Sequence, residues 1–347
     1  MKIMHVLNSR EYSGAEVVVA GIIHAFETRE NVEMVYCSPE SEQVSSILRE
    51  QGIRYVPVQS LNVRELKRVI RQEQPDFIHA HDMRASFVSA LSCGKIPLLF
   101  HIHNNAFDAR GISPKSVAFA LASRKAKHIL WVSPGALKHY AFRRLVEKKS
   151  SILVNVVDGE AIRRKVAADP QTYDYDVVYC GRLAPEKDPL RLIRVCSMVK
   201  QQLPALKVGI IGEGALEQPA RELVRQLGME DNVEFLGYRT NPMKIIHDAR
   251  LISLTSLWEG CPMCLLEGMA VGTVGVCADF EALDGILLPE ETGLSGRTDE
   301  ELADAMVRVL TDEPLRGRLS RGGLAHFQEI NNAQAYYGAL AKQYGLD

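Results

Sequence analysis

Residues 258–272 read Trp258-Glu259-Gly260-Cys261-Pro262-Met263-Cys264-Leu265-Leu266-Glu267-Gly268-Met269-Ala270-Val271-Gly272, and the spacing of Glu259 and Glu267 decides how the rest is read. Pro262 suits the first residue of a helix, because its ring fixes φ and its missing N–H has no partner to lose there. Glu259 then falls in the loop before the helix. Glu267 lies more than a turn inside it, roughly 10 Å further along the axis. Between the two carboxylates come the unpaired N–H groups of a helix tip, here those of Met263 and Cys264, which favour phosphate. A carboxylate for sugar hydroxyls, amides for a diphosphate and a second carboxylate for a ribose together suit a nucleotide-sugar. Two glutamates at this interval are ordinary by themselves, so the surroundings carry the weight.

Upstream, short apolar runs alternate with helical patterns. Strands are expected at 3–7, 32–37, 77–80, 98–102, 129–132 and 152–154, with helical periodicity at 16–26, 44–51 and 63–72. The pattern restarts with strands at 176–180, 207–211, 233–236, 251–254 and 273–277, and helices at 189–202, 216–227, 242–248, 262–271 and 300–310. Alternating β and α with short links predicts parallel sheets covered on both faces, an α/β chain of two Rossmann-like, doubly wound domains. The expected division is 1–160, a polar linker at 161–173, and 174–330, with a helix in 331–347 joined to the first domain. Ligands in such sheets bind outside the carboxyl ends of the strands, which places the site in an interdomain cleft.

Seven further segments bear on chemistry. Ser13-Gly14-Ala15-Glu16 opens the first helix, and Gly14 lets backbone approach a phosphate or sugar closely. His79-Ala80-His81-Asp82 and His101-Ile102-His103-Asn104 end neighbouring strands. An H-x-H pair is a zinc-ligand pattern, but no metal is expected here, and His79 and His81 read as structural. Cys180-Gly181-Arg182-Leu183-Ala184-Pro185-Glu186-Lys187-Asp188 follows the second domain's first strand, offering the planar fork of Arg182 and the point charge of Lys187 to an anion. Ile211-Gly212-Glu213-Gly214 and Val233-Glu234-Phe235-Leu236-Gly237 end two more strands. Asp174-Tyr175-Asp176 is formally a D-x-D metal motif, but it precedes its strand and reads as chance.

Taken in order, these segments and the stretch at 258–272 resemble the retaining, metal-independent glycosyltransferases of the GT-B fold, in particular glycosyltransferase family 4. The stretch at 258–272 matches the family's E-x7-E signature. Two positions depart from the family pattern: Ser13 and Asp188 stand where glycine is usual. The resemblance implies that Glu259 holds sugar hydroxyls and Glu267 the ribose. Arg182 and Lys187 would steady the departing diphosphate, and His103 would lie near the sugar. It implies no cofactor beyond a nucleotide-sugar donor, with UDP expected by family frequency. A nucleotide-sugar 2-epimerase of the same broad fold stays open as an alternative. An NAD(P)-dependent oxidoreductase fits poorly, since residues 8–16 lack G-x-G-x-x-G.

Length and composition are compatible with this. The 347 residues, 46% hydrophobic and 24% charged, suffice for two cores. No apolar run is long enough to span a membrane and no signal peptide is evident, so a cytoplasmic protein is expected. Seven cysteines in mostly apolar segments read as reduced, with Cys261 at a helix tip expected to be the reactive one. Residues 1–173 carry 24 Lys and Arg against 17 Asp and Glu, whereas 174–347 carry 17 against 26. The halves are thus expected to meet different partners. Arg124-Lys125-Ala126-Lys127-His128 and the basic residues from Lys138 to Lys149, interleaved with Val117, Phe119, Leu121, Phe142 and Leu145, have the makeup of a surface resting on anionic lipid. The acceptor is then expected to be a lipid-linked saccharide of a bacterial capsule, exopolysaccharide or lipopolysaccharide. A nucleic-acid partner is not.

Overall fold

A computed structural model describes residues 1–12, 14–104 and 109–346. They form two compact units, 1–156 with 333–347 and 157–332. The first is built on seven parallel strands: β1 (Lys2–Val6), β2 (Glu33–Pro39), β3 (Tyr55–Val58), β4 (Phe77–His81), β5 (Leu98–Ile102), β6 (His128–Trp131) and β7 (Ser150–Ile152). Their order is β3-β2-β1-β4-β5-β6-β7. The second has six: β8 (Val177–Cys180), β9 (Val208–Ile211), β10 (Val233–Gly237), β11 (Leu251–Leu254), β12 (Val274–Ala278) and β13 (Gly293–Gly296), in the order β10-β9-β8-β11-β12-β13. Each order reverses once, between β1 and β4 and between β8 and β11. In such sheets the loops flanking that switch point leave the strands in opposite directions and open a crevice for ligand.

The strands buried on both faces, such as β9, β11 and β12, are continuous apolar or small runs, as helices on both sides require, and β4 and β5 follow suit apart from His79, His81 and His101. Two edge strands were not evident in sequence. β3 contains Pro57, tolerated because an edge strand can do without one ladder donor, and β13 is Gly-Leu-Ser-Gly with almost no β-forming side chains. The stretch expected as a linker is mostly a helix, 159–168, capped by Asp158, whose carboxylate accepts from Ala161 N–H at 2.9 Å. It packs on the helices at 243–248 and 263–270. Only Ile162 is buried, so exposed charges masked its periodicity. The true boundary falls at 156/157. There the Asn331 side chain closes the second unit by accepting from Val157 N–H and donating to Val157 C=O, each at 2.9 Å.

The terminal helix, Ala333–Tyr344, belongs to the first unit. Tyr344 is buried edge-on against Phe26 and Phe77, and its hydroxyl lies 2.7 Å from His79 Nδ1. Phe119, Trp131 and Tyr140 form a second aromatic cluster under β5 and β6.

Candidate functional site

In the second unit the site grows from loops at the carboxyl ends of β8 and β11, the strands flanking the switch point. Tyr179 O–H donates to Arg182 C=O at 2.7 Å and shapes the turn out of β8. A short 3-10 turn, 185–187, ends at Asp188, whose φ of +40° lies in the left-handed region. Aspartate tolerates that conformation and here also caps the helix 189–202, its carboxylate accepting from Arg191 N–H at 3.1 Å. The departure from glycine is thus accommodated. Two contacts tie this loop to the one after β11: Thr255 Oγ1 donates to Asp188 C=O at 2.9 Å, and Leu257 N–H to Glu186 C=O at 2.9 Å.

Lys187 and Glu259, assigned by resemblance to the diphosphate and the sugar of a donor, are in direct contact: Nζ to Oε2 is 2.7 Å. Ser256 Oγ donates to the other carboxylate oxygen at 2.6 Å, so both Glu259 oxygens are engaged. Glu259 is nearly fully buried and Lys187 about a quarter exposed. Burial pulls the Lys187 ammonium toward the neutral form, but the neighbouring Glu259 carboxylate outweighs it, and its pKa is raised overall. The ammonium has three N–H donors, so one can serve Glu259 and two remain for a phosphate. Arg182 pairs with Glu186 at 2.6 Å on the exposed side and stands close enough to oppose the charge on Lys187.

The helix that follows spans Met263–Ala270, with Pro262 as its N-cap rather than its first residue and no side chain capping it. The Met263 N–H is spent on Cys261 C=O at 3.0 Å. The Cys264 N–H finds no backbone acceptor among the described residues and is the amide this tip offers. Cys261 is buried, which counts against the reactivity expected of it. The Cys264 thiol is held well above its ordinary pKa by burial and by the charge of Glu259. Glu267 is partly exposed, and burial pushes its carboxyl up to about 7, with Lys165 pulling the other way. Burial here favours the protonated acid. Its contribution to stability is therefore fully present below about pH 4.5 and is lost as the pH rises through 7. Glu267→Gln should melt higher than the native chain at pH 8, by an amount worth about 2 kcal/mol given the partial exposure, and no higher at pH 4.5. Melts at the two pH values check this.

Gly212 has φ +125°, and a Cβ there would lie 2.1 Å from Gly181 C=O, so the loops after β8 and β9 touch backbone to backbone. The D-x-D acids lie at the opposite, amino end of β8. Asp174 pairs with Lys207 at 2.6 Å and Asp176 with Arg250 at 3.0 Å, which is a structural role.

In the first unit, Ser13 lies outside the described residues. Gly14 begins the helix 14–26, and a Cβ there would meet no heavy atom within 4 Å. The fold itself does not demand glycine at this position. Gly14→Ala should therefore leave the melting temperature unchanged while weakening donor binding, which calorimetry and a titration check separately. His103 follows β5. Its ring is buried, and its backbone N–H donates to Asp82 Oδ1 at 2.9 Å. Asp82 has φ +65°, left-handed like Asp188, which aspartate tolerates and this hydrogen bond helps to hold. Sequence reasoning missed Thr255 and Ser256, ordinary-looking residues whose only signal was their place between β11 and Glu259.

The sheet orders agree with what similarity shows. The profile for "Glycosyl transferases group 1" matches residues 160–325, and that for "Glycosyltransferase Family 4" matches 12–160. The chain is a glycosyltransferase of the GT-B fold and belongs to the group 1, family 4 enzymes. It is 24% identical over 350 residues to the lipopolysaccharide 1,6-galactosyltransferase of Salmonella typhimurium, covering 93% of this chain and 95% of that one. Over 172 residues, 49% of this chain and 46% of the other, it is 31% identical to a Campylobacter jejuni N-acetylgalactosaminyltransferase acting on a diphospho-undecaprenol-linked sugar. Among solved structures, Anabaena Alr3699/HepE in complex with UDP and glucose superimposes with a TM-score of 0.84 over 99% of both chains, at 18% identity.

Proposed function

We propose that this enzyme transfers a sugar, with retention and without a metal ion, from a UDP-sugar to a hydroxyl of a lipid-linked saccharide in bacterial cell-surface polysaccharide assembly. The observation that carries the reading is the Lys187–Glu259–Ser256 cluster beside Arg182 and an uncapped helix tip. The cations and the Cys264 amide would hold the diphosphate, and Glu267 the ribose hydroxyls. As the C1–oxygen bond to the β-phosphate breaks, charge develops on that phosphate. Fixed positive groups act most strongly where charge develops. Arg182 and Lys187 supply there the charge a divalent ion would otherwise supply.

Glu259 is poorly placed to act as a nucleophile, since both its oxygens are occupied. This favours front-face transfer: the acceptor oxygen bonds to C1 on the side the phosphate leaves, and the departing phosphate oxygen takes the acceptor's proton. The choice of UDP draws on the UDP-bound Anabaena neighbour, and the lipid-linked acceptor on the Campylobacter relative. Release of UDP from a panel of UDP-sugars, unchanged by EDTA and accelerated by a polyprenyl-diphosphate-linked saccharide, tests the reading. A 2-epimerase would release no UDP in response to acceptor.

Membrane contact is part of the same proposal. Phe119 is buried in the core, Phe142 packs against it, and Lys127 and Lys149 are tied to backbone carbonyls. What faces outward is Ile112, Val117, Leu121 and Leu145 with Arg124, Lys125, Lys127, Lys138, Arg143, Arg144 and Lys148, a patch that lacks the two phenylalanines. No helix of the described residues is long and apolar enough to cross a membrane. Each basic residue near an anionic surface contributes about 1 kcal/mol. Flotation with phosphatidylglycerol vesicles should therefore be lost at 0.5 M salt and in Leu121→Asp/Leu145→Asp.

A further inference from the structure

One face of the first unit's sheet buries a group of imidazoles. His5 of β1 is in register with His79 of β4, and His81 lies two residues further along β4, so the three rings share that face. All three are at most 1% exposed. Their ring centres lie 4.2–5.3 Å apart, and each can place a nitrogen within 4.8 Å of the other two. Read alone, His79-Ala80-His81 supplies two candidate ligands. Strand register supplies the third.

Several features suit this triad to a metal ion. Burial disfavours the charged form of every ring, so all three are neutral imidazoles, the form that coordinates. His5 Nε2 and His79 Nε2 are buried without a partner among the described residues. Unpaired buried nitrogens are costly, and a bound ion is one of the few things that relieves them. Two nitrogens on a tetrahedral zinc stand about 3.4 Å apart. His5 Nδ1 and His81 Nε2 are already 3.1 Å apart.

The outer side of the triad is built as well. A ligating imidazole is ordinarily held by a hydrogen bond at its other nitrogen. His79 Nδ1 has the Tyr344 hydroxyl at 2.7 Å, and His81 Nδ1 has His103 Nε2 at 2.8 Å. Nε2 is then the nitrogen that both have to offer an ion. His81, His101 and His103 make a second triad of close nitrogens. There, neither nitrogen of His101 has a partner among the described residues, and His103 lies beyond the strand.

We propose that His5, His79 and His81 form a structural zinc site that clasps β1 to β4 and, through Tyr344, to the terminal helix. The donor set is all imidazole, which suits zinc and not calcium or magnesium. The ion takes no part in sugar transfer. Enclosed as it is, it exchanges only when the unit opens, so brief EDTA treatment leaves the transfer rate unchanged.

The test is metal analysis of the untagged full chain, produced in zinc-supplemented medium and gel-filtered. The native chain should hold about one zinc, and His5→Asn, its fold checked by circular dichroism, under about a tenth of one. His101→Asn, outside the triad, should keep the native content. Tyr344→Phe should release zinc to a competing chelator about tenfold more readily. X-ray absorption of the native chain needs no variant to fold, and should show nitrogen neighbours at about 2.0–2.1 Å and no sulfur. A native chain without zinc would overturn the proposal, as would full zinc content in His5→Asn. Loss of zinc in His101→Asn would move the ion to the other triad, and sulfur at about 2.3 Å would move it to the cysteines. Either outcome refutes the site.

Discussion

Glu259→Gln is expected to lower sugar transfer by at least about a hundredfold, the scale on which removing one preorganised charged contact acts. The carboxylate is held on one side by Lys187 at 2.7 Å and on the other by Ser256 at 2.6 Å, so its position is set before any substrate arrives. The amide keeps the shape and can accept from Ser256, but it cannot neutralise Lys187. UDP affinity should change little, because the diphosphate contacts assigned to Lys187, Arg182 and the Cys264 amide are untouched. A kcat loss with UDP binding within threefold of native, by titration calorimetry, is the expected pattern. A native rate would remove Glu259 from the site.

Lys187→Met carries the second large effect, and it reaches stability as well as rate. Transfer and UDP binding should both fall, the rate by about a hundredfold. Glu259 would then be buried as an unpaired carboxylate. For a fully buried pair, removing one partner costs about 3–5 kcal/mol, and the quarter exposure of Lys187 reduces this to about 2 kcal/mol. Lys187→Met/Glu259→Leu should recover most of that stability and none of the activity, since no lone charge is left. Urea unfolding of the two single variants and the double closes the cycle. Arg182→Ala offers the contrast: its ion pair with Glu186 is on the exposed side, where such pairs add little stability, so it should cost rate and UDP binding without lowering stability.

The fold was legible where burial is two-sided. β5 and β11 occupy the ranges read from sequence, because strands covered on both faces are mostly apolar. It was illegible at edges and on charged surfaces. β3 and β13 satisfy their hydrogen bonds on one side only and need no apolar run, and the helix 159–168 buries a single isoleucine. At the site, Arg182, Lys187, Glu259 and Glu267 stood out by motif. That Lys187 and Glu259 touch was not visible, since 72 residues separate them and only the parallel adjacency of β8 and β11 brings their loops together. The histidines show the same limit. As two H-x-H pairs they read as the ends of neighbouring strands. Strand register sets His5, which no motif marked, beside His79, and His81 beside His101.

A crystal of the protein soaked with UDP tests the central claim most directly. The account predicts the diphosphate within hydrogen-bond distance of Lys187 Nζ, the Arg182 guanidinium and the Cys264 N–H, with the ribose hydroxyls on Glu267. A diphosphate bound away from the loops after β8 and β11 would contradict it.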